Sequence, residues 1–226
     1  ETCNIPVIAD CDTGFGGPGN VSHLVKKYEK AGVAGISIED KTFPKENSLL
    51  NGSNQNLISE KEFVAKIIAA REAKDNEKFL LIARTEALIA EKGMKEAKKR
   101  ATAYEKAGAD AILIHSKKNS PDEVFEFADT WNGEIPLVVV PTTYPNVKID
   151  ELISHKIKMV IYANQTLRSA YSSMQETLKK IQNDDLSNLN KEIASMENIF
   201  ELQKMYDVKE EEEEIQKELK KMGYMD

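Results

Sequence analysis

Phe79-Leu80-Leu81-Ile82-Ala83 with Arg84 and Glu86 behind it, a helical pattern over Lys95 to Ala107, then Gly108 and Ala111-Ile112-Leu113-Ile114 ahead of His115 and Ser116, form one strand-helix-strand unit. Near-continuous apolar runs this short, rich in branched side chains, suit strands buried on both faces of a parallel sheet. The intervening stretch has the length and periodicity of a crossover helix, and Gly108 supplies the left-handed residue that such a helix ends on.

Outward from that unit the pattern repeats. Further strands are expected at Ile5 to Ala9, Gly35 to Ile38, Leu137 to Val140 and Met159 to Tyr162. Further helices are expected at Val21 to Ala31, Glu60 to Ala73, Asp122 to Thr130 and Ile149 to Ser154. After the last strand the pattern turns wholly helical: Leu167 to about Ile181, Asn190 to Tyr206, and a Glu-rich run into Lys217 to Lys221. The expected division is a barrel domain over 1–166 and a helical extension over 167–226.

Every strand is followed by polar or ionisable residues: Asp10 and Asp12, Glu39 and Asp40, Arg84 and Glu86, His115 and Ser116, Thr142 and Thr143, and Asn164. In an open α/β sheet or a (β/α)8 TIM barrel the carboxyl ends of the strands share one face, where ligands bind. Six strands do not close a barrel of eight, so either the sheet is open or two βα units belong before residue 1; the second is the expectation. A dinucleotide fold is disfavoured. Gly14 to Gly19 is glycine-rich, but Asp10 and Asp12 just ahead of it would repel a pyrophosphate.

The 226 residues carry 31 basic and 38 acidic side chains, a formal charge of -7, so no overall field draws the chain to nucleic acid or an anionic membrane. Two cysteines make neither a disulfide framework nor a CxxC ligand set, and no apolar run nears the ~20 residues of a membrane span. A reduced, cytoplasmic setting is the expectation. The sequence begins with Glu-Thr-Cys-Asn rather than Met and shows no signal-peptide pattern, so its true start is expected upstream.

Period two along an extended chain puts Asp10 and Asp12 on one side, and Glu39 from the next strand adds a third carboxylate. Hard oxygen donors without His or Cys suit Mg2+, with Mn2+ as a substitute. A solvated Asx turn ahead of glycines is the alternative for the Asp pair.

Ile8 to Gly16, Gly35 to Ser48, Ala83-Arg84-Thr85-Glu86-Ala87, Ala107 to Ala111 and His115-Ser116-Lys117-Lys118 together resemble the phosphoenolpyruvate mutase branch of the isocitrate lyase superfamily. The resemblance implies a (β/α)8 barrel with Mg2+ at its carboxyl face, interconverting phosphoenolpyruvate and phosphonopyruvate in phosphonate biosynthesis. It implies Asp10 as the direct metal ligand, with Asp12 and Glu39 acting through bound waters, and Arg84 and His115 on substrate oxygens. It also implies a mobile gate at Lys45-Glu46-Asn47-Ser48, whose Lys45, Asn47 and Ser48 meet the substrate, within a polar loop bracketed by Pro44 and Gly52. Glu46 stands where the mutases carry Thr. Superfamily lyases place a proton-donating Cys where Asn47 stands, which disfavours carbon-carbon cleavage.

The branch also has an earlier segment, with backbone donors for the substrate and a further metal-shell Asp, that this sequence does not contain. Phosphonopyruvate hydrolysis to pyruvate and phosphate is the neighbouring alternative. A barrel fragment serving in binding or assembly is the alternative without catalysis. The helix after the eighth strand is exchanged between subunits in this superfamily, so the resemblance implies a homo-oligomer, a tetramer, with Leu167, Ala170, Met174, Thr177 and Leu178 on the exchanged face.

Overall fold

In parallel strands at the observed register, residues opposite one another share a face, and the face changes with each step along the chain. A computed structural model describes residues 4–50, 55–183 and 186–225. It contains six parallel strands in sequential order: β1 (Ile8–Asp10), β2 (Gly35–Glu39), β3 (Leu80–Thr85), β4 (Ala111–Ile114), β5 (Leu137–Val139) and β6 (Ile157–Val160). Helices α1 (Pro18–Lys30), α2 (Glu60–Ala73), α3 (Gly93–Ala107), α4 (Asp122–Asp129) and α5 (Ile149–Ser154) make the crossovers. Asp10 lies opposite Ser37, Glu39 opposite Arg84, and Ile82 opposite Ala111, which fixes Asp10, Glu39 and Arg84 to one face.

That face carries a small cluster of Ile82, Ala111, Leu113, Val138 and Val140, with Ile8, Met159 and Ile161 packed against it. The opposite face meets the crossover helices in the main core, where Ile36, Ile38, Leu81, Ala83, Ile112 and Ile114 pack against Val21, Phe63, Ile67, Tyr104 and Phe127. Two apolar layers, one inside the curl and one beneath the helices, are the arrangement of a (β/α)8 barrel wall. Six such units lie among the described residues.

Local chemistry sets the element ends. Ser59 starts α2 with a capping box: its hydroxyl accepts from the Glu62 amide, and the Glu62 carboxylate accepts from the Ser59 amide. Gly35 is required by close approach, because a Cβ there would lie 2.6 Å from the Leu80 carbonyl oxygen. Gly108 ends α3 at φ +105°.

Three expectations need correction. β1 begins at Ile8, not Ile5: Ile5 and Val7 are exposed, and Pro6 has no N–H to give a ladder. β6 is shifted two residues earlier than Met159 to Tyr162, and Tyr162 lies exposed beyond it. The single helical pattern over Asn190 to Tyr206 is broken. After α6 (Gln165–Gln182) come α7 (Leu186–Glu192), α8 (Met196–Leu202) and α9 (Met205–Lys221). Ser195 caps a new helix by accepting from the Asn198 amide, and Lys204 takes a left-handed φ of +53°, which a continuous helix cannot contain.

The chain divides into two compact units, Glu1–Ala163 with the sheet and Asn164–Asp226 with α6 to α9. Among the described residues no helix is long and apolar enough to cross a membrane.

Candidate active site

The carboxyl ends of β1 to β4 deliver a connected set of charges. Glu39 is almost wholly buried and faces two cations: Arg84 Nη1 lies 3.3 Å and Lys45 Nζ 3.2 Å from its Oε2. These are ion-pair distances without hydrogen-bond alignment, and neither Glu39 oxygen has a hydrogen-bond partner. Burial pushes the Glu39 carboxyl above its ordinary value, and Arg84 opposes this only in part. Lys45 also reaches Asp12 Oδ2 at 3.5 Å.

The Asp pair forms the turn that was the alternative to strand alternation. Asp10 Oδ1 accepts from the Asp12 amide at 3.0 Å, an Asx turn. Asp12 has φ +56°, so a turn rather than strand alternation directs its side chain. Cys11 between them is fully buried in the core, and burial with the neighbouring Asp10 charge pushes its thiol up to about 11.

One residue at the centre is absent from the sequence-based site: Glu86. It is completely buried, and its Oε1 accepts from Arg84 Nε at 2.6 Å and lies 2.9 Å from His115 Nδ1. Its Oε2 accepts from the Ser48 hydroxyl at 2.5 Å and stands 3.9 Å from Lys41 Nζ. Lys41, buried as well, donates to the Glu46 carbonyl at 2.6 Å and to Ser48 Oγ at 3.1 Å. Burial alone would raise the Glu86 carboxyl, but the His115 hydrogen bond and the Arg84 charge outweigh it and hold Glu86 well below the usual carboxylate range. Burial lowers His115 below the ordinary imidazole value, against the opposing Glu86 contact.

Asp40 braces this cluster from the other face. Its Oδ1 accepts from the Glu86 amide at 2.8 Å, and its Oδ2 accepts from Tyr104 Oη at 2.6 Å and Arg100 Nη1 at 3.1 Å. Burial and the Asp40 charge push the Tyr104 hydroxyl well up, so it remains a donor. The exits of β2 and β3 are thereby locked to α3.

The structure brings together Asp12, Glu39, Lys45, Ser48, Arg84 and His115. Asn47 is exposed and its Oδ1 accepts from the Leu49 amide at 2.9 Å, inside the gate's own turn. Asp10 lies at the same strand ends but is exposed. Ser116 is a turn residue whose hydroxyl donates to Glu123, and Asn164 is the N-cap of α6. Asn51 and Gly52, at the far end of the gate loop, lie outside the described residues. A signal for Glu86 and Lys41 was present in the sequence: each stands two residues after an inward-facing charge, Arg84 and Glu39.

Among the described residues no three His, Cys, Asp or Glu side chains are gathered closely enough to enclose a metal ion. The donors nevertheless fit a hydrated divalent cation. They are hard oxygens, and buried Glu39 keeps two unbonded oxygens whose charge Arg84 and Lys45 only partly offset.

A barrel wall whose carboxyl-end face gathers acids, Arg84 and His115 beneath a loop defines the class: a (β/α)-barrel protein with its ligand site at the strand ends. Residues 1–182 match the family of phosphoenolpyruvate phosphomutase. A phosphonopyruvate hydrolase of Variovorax sp. (strain Pal2) is 46% identical over 205 residues, 90% of this chain and 71% of that protein. A phosphoenolpyruvate phosphomutase of Tetrahymena pyriformis is 44% identical over 204 residues, 90% of this chain and 68% of that protein. Among solved structures, a phosphoenolpyruvate phosphomutase from Streptomyces platensis subsp. rosaceus superposes with a TM-score of 0.91 at 44% identity, covering 94% of this chain and 74% of that one. A phosphonopyruvate hydrolase complexed with oxalate and Mg2+ gives a TM-score of 0.84 at 42% identity, covering 92% and 71%. The chain belongs to the phosphoenolpyruvate phosphomutase family.

Proposed function

We propose that this protein is a Mg2+-dependent phosphoenolpyruvate mutase, moving a phosphoryl group between the enol oxygen and C3 of a three-carbon acid, as its family resemblance implies. The observation that carries the reading is the gate closed over the site by its own side chains, Lys45 on Glu39 and Asp12 and Ser48 on Glu86. A closed lid keeps water from the transferring group, which is what separates transfer from hydrolysis.

Phosphoryl transfer proceeds through a loose transition state with charge spread over the oxygens, so positioned cations and donors do the catalytic work. Arg84 holds a fixed fork toward the substrate oxygens because Glu86 grips its Nε and Glu39 its Nη1. His115 offers its ring to a substrate oxygen. Lys45, Asn47 and Ser48 close from the gate, Lys45 adding positive charge. Asp10, Asp12 and Glu39 would hold Mg2+, which supplies Lewis-acid stabilisation of the developing enolate when bound. The oxalate and Mg2+ complex of a relative supports that assignment. The reading includes a cytoplasmic homo-oligomer assembled through the helices after the last strand.

Phosphonopyruvate hydrolysis is the second reading, favoured by the 46% identical hydrolase. Phosphorus NMR of the full-length protein with phosphonopyruvate and Mg2+ decides between them. Formation of phosphoenolpyruvate supports the mutase. Inorganic phosphate without phosphoenolpyruvate establishes the hydrolase, and an unchanged spectrum leaves the non-catalytic assembly module.

A further inference from the structure

The hydrogen-bond inventory around Glu86 contains a conflict. His115 Nδ1 lies 2.8 Å from Arg84 Nη2 and 2.9 Å from Glu86 Oε1. Guanidinium nitrogens only donate and an ionised carboxylate only accepts. A protonated Nδ1 donates its one N–H to Glu86 and has no lone pair left for Arg84; a bare Nδ1 accepts from Arg84 and has no proton to give Glu86. Only one of the two contacts is a hydrogen bond at a time, so the imidazole tautomer depends on how strongly Glu86 competes for the proton.

That strength is tied to the gate. Lys41 Nζ has only protons to give, so Ser48 Oγ accepts from Lys41 and spends its one proton on Glu86 Oε2. Arg84 Nη2 stands 3.4 Å from the same hydroxyl. Charge drawn to Oε2 by the Ser48 bond is charge withdrawn from Oε1, the oxygen facing His115. The carboxylate is completely buried, so water cannot replace a lost partner cheaply.

We propose that Glu86 is a positioning residue that couples the gate to His115, relaying whether Ser48 is docked into the tautomer and orientation of the imidazole. The proposal rests on the function given above in taking His115 and Arg84 as the groups that face substrate and Lys45 to Ser48 as a gate that opens. Closure of the gate then prepares the ring that must meet the substrate, and the chemistry is armed only when the lid is shut. Such a coupling is reciprocal, so a change at Glu86 must also be felt in the gate.

The test needs no substrate, so its failure is distinguishable from failure of the proposed activity. The chain holds three histidines, and the ring nitrogen-15 resonances of His115 in the full-length protein are assigned by comparison with His115→Asn. At one fixed neutral pH, Ser48→Ala is expected to displace the His115 Nδ1 and Nε2 resonances, because the tautomer populations change. Leu49→Ala, a neighbouring gate change at a residue that is not a partner of Glu86, is expected to leave them in place. In the reverse direction Glu86→Gln is expected to speed amide exchange at Ser48 to Leu50 by roughly tenfold, about 1.4 kcal/mol. His115 resonances unmoved by Ser48→Ala, or moved as far by Leu49→Ala, would overturn the proposal. Should Glu86→Gln fail to fold, Lys41→Met replaces it in the exchange measurement, and unchanged gate exchange is then the refuting result.

Discussion

Glu86 shows why a buried charge must be judged by its partners. Four groups converge on a carboxylate with no solvent, and removal of a charge from such a cluster leaves the others uncompensated. Glu86→Gln is expected to lower stability at neutral pH by about 3 kcal/mol in urea unfolding. The folded value of Glu86 lies below its ordinary 4.5, so its contribution is complete above that pH and is lost as pH falls toward the folded value. The gap between wild type and Glu86→Gln should therefore be constant from pH 8 to about pH 6 and narrow below about pH 4.5; a gap that widens in acid would contradict the assignment. Beside it, Glu39 and the Asp pair frame the proposed metal site. Asp10→Ala should abolish Mg2+ binding by titration calorimetry, whereas Asp12→Ala and Glu39→Gln, acting through waters, should weaken it by roughly 10- to 100-fold. Equal losses in all three would show that the direct ligand has been misassigned.

The gate is the element on which function turns. It leaves β2 through Lys41, whose buried ammonium grips the Glu46 carbonyl, and it closes through Lys45 and Ser48. Asn47 Oδ1 caps the Leu49 amide in the closed turn, so Asn47 stabilises the gate's own shape as well as standing where the family meets the phosphoryl group. Asn47→Ala is expected to lower turnover far more than Glu46→Thr, with steady-state rates as the measurement. Glu46 is exposed and contributes its backbone carbonyl to Lys41, which Thr keeps. Comparable losses would mean that the loop is aligned wrongly with the mutase gate.

At the scale of the whole molecule, β1 and β6 form the two edges of the sheet, and Ile5, Val7 and Tyr162 stand exposed beside them. The second unit exposes more: Leu167, Tyr171, Met174, Leu178 and Ile181 form one stripe along α6, all well exposed. Leu167, Met174 and Leu178 are shared with the sequence-based face, and Tyr171 and Ile181 extend it. An apolar stripe of this length calls for a covering surface, and the proposed assembly supplies it from a second copy of the chain. Light scattering at micromolar concentration should return an oligomer, a tetramer by resemblance, and truncation after Asn164 should reduce it to a smaller species. A monomer mass for the full chain would exclude the assembly.

The sequence by itself determined the periodic features: six apolar runs, the helices between them, and the strand ends at which Asp10, Glu39, Arg84 and His115 stand. Those follow from period two and period 3.6, which act over a few residues and leave their mark on the chain directly. The α2 span was legible to the residue, because its capping box and its buried face agree there, and the α5 span was legible as well. The break at Ser195 and Lys204 was not, since a cap inside an apolar periodic run is outweighed by the run itself. Nor could the chain order show which charge would sit at the centre. Arg84 lies near the end of β3 and Glu86 just beyond it, yet only the register of β2, β3 and β4, with Asp40 pulling the Glu86 amide toward α3, places Glu86 between Ser48 and His115. These partners lie 38 and 29 residues away in sequence. Hydrogen bonds of 2.5 to 3 Å across that separation are set by how the strands pack, and only the tertiary structure decides them.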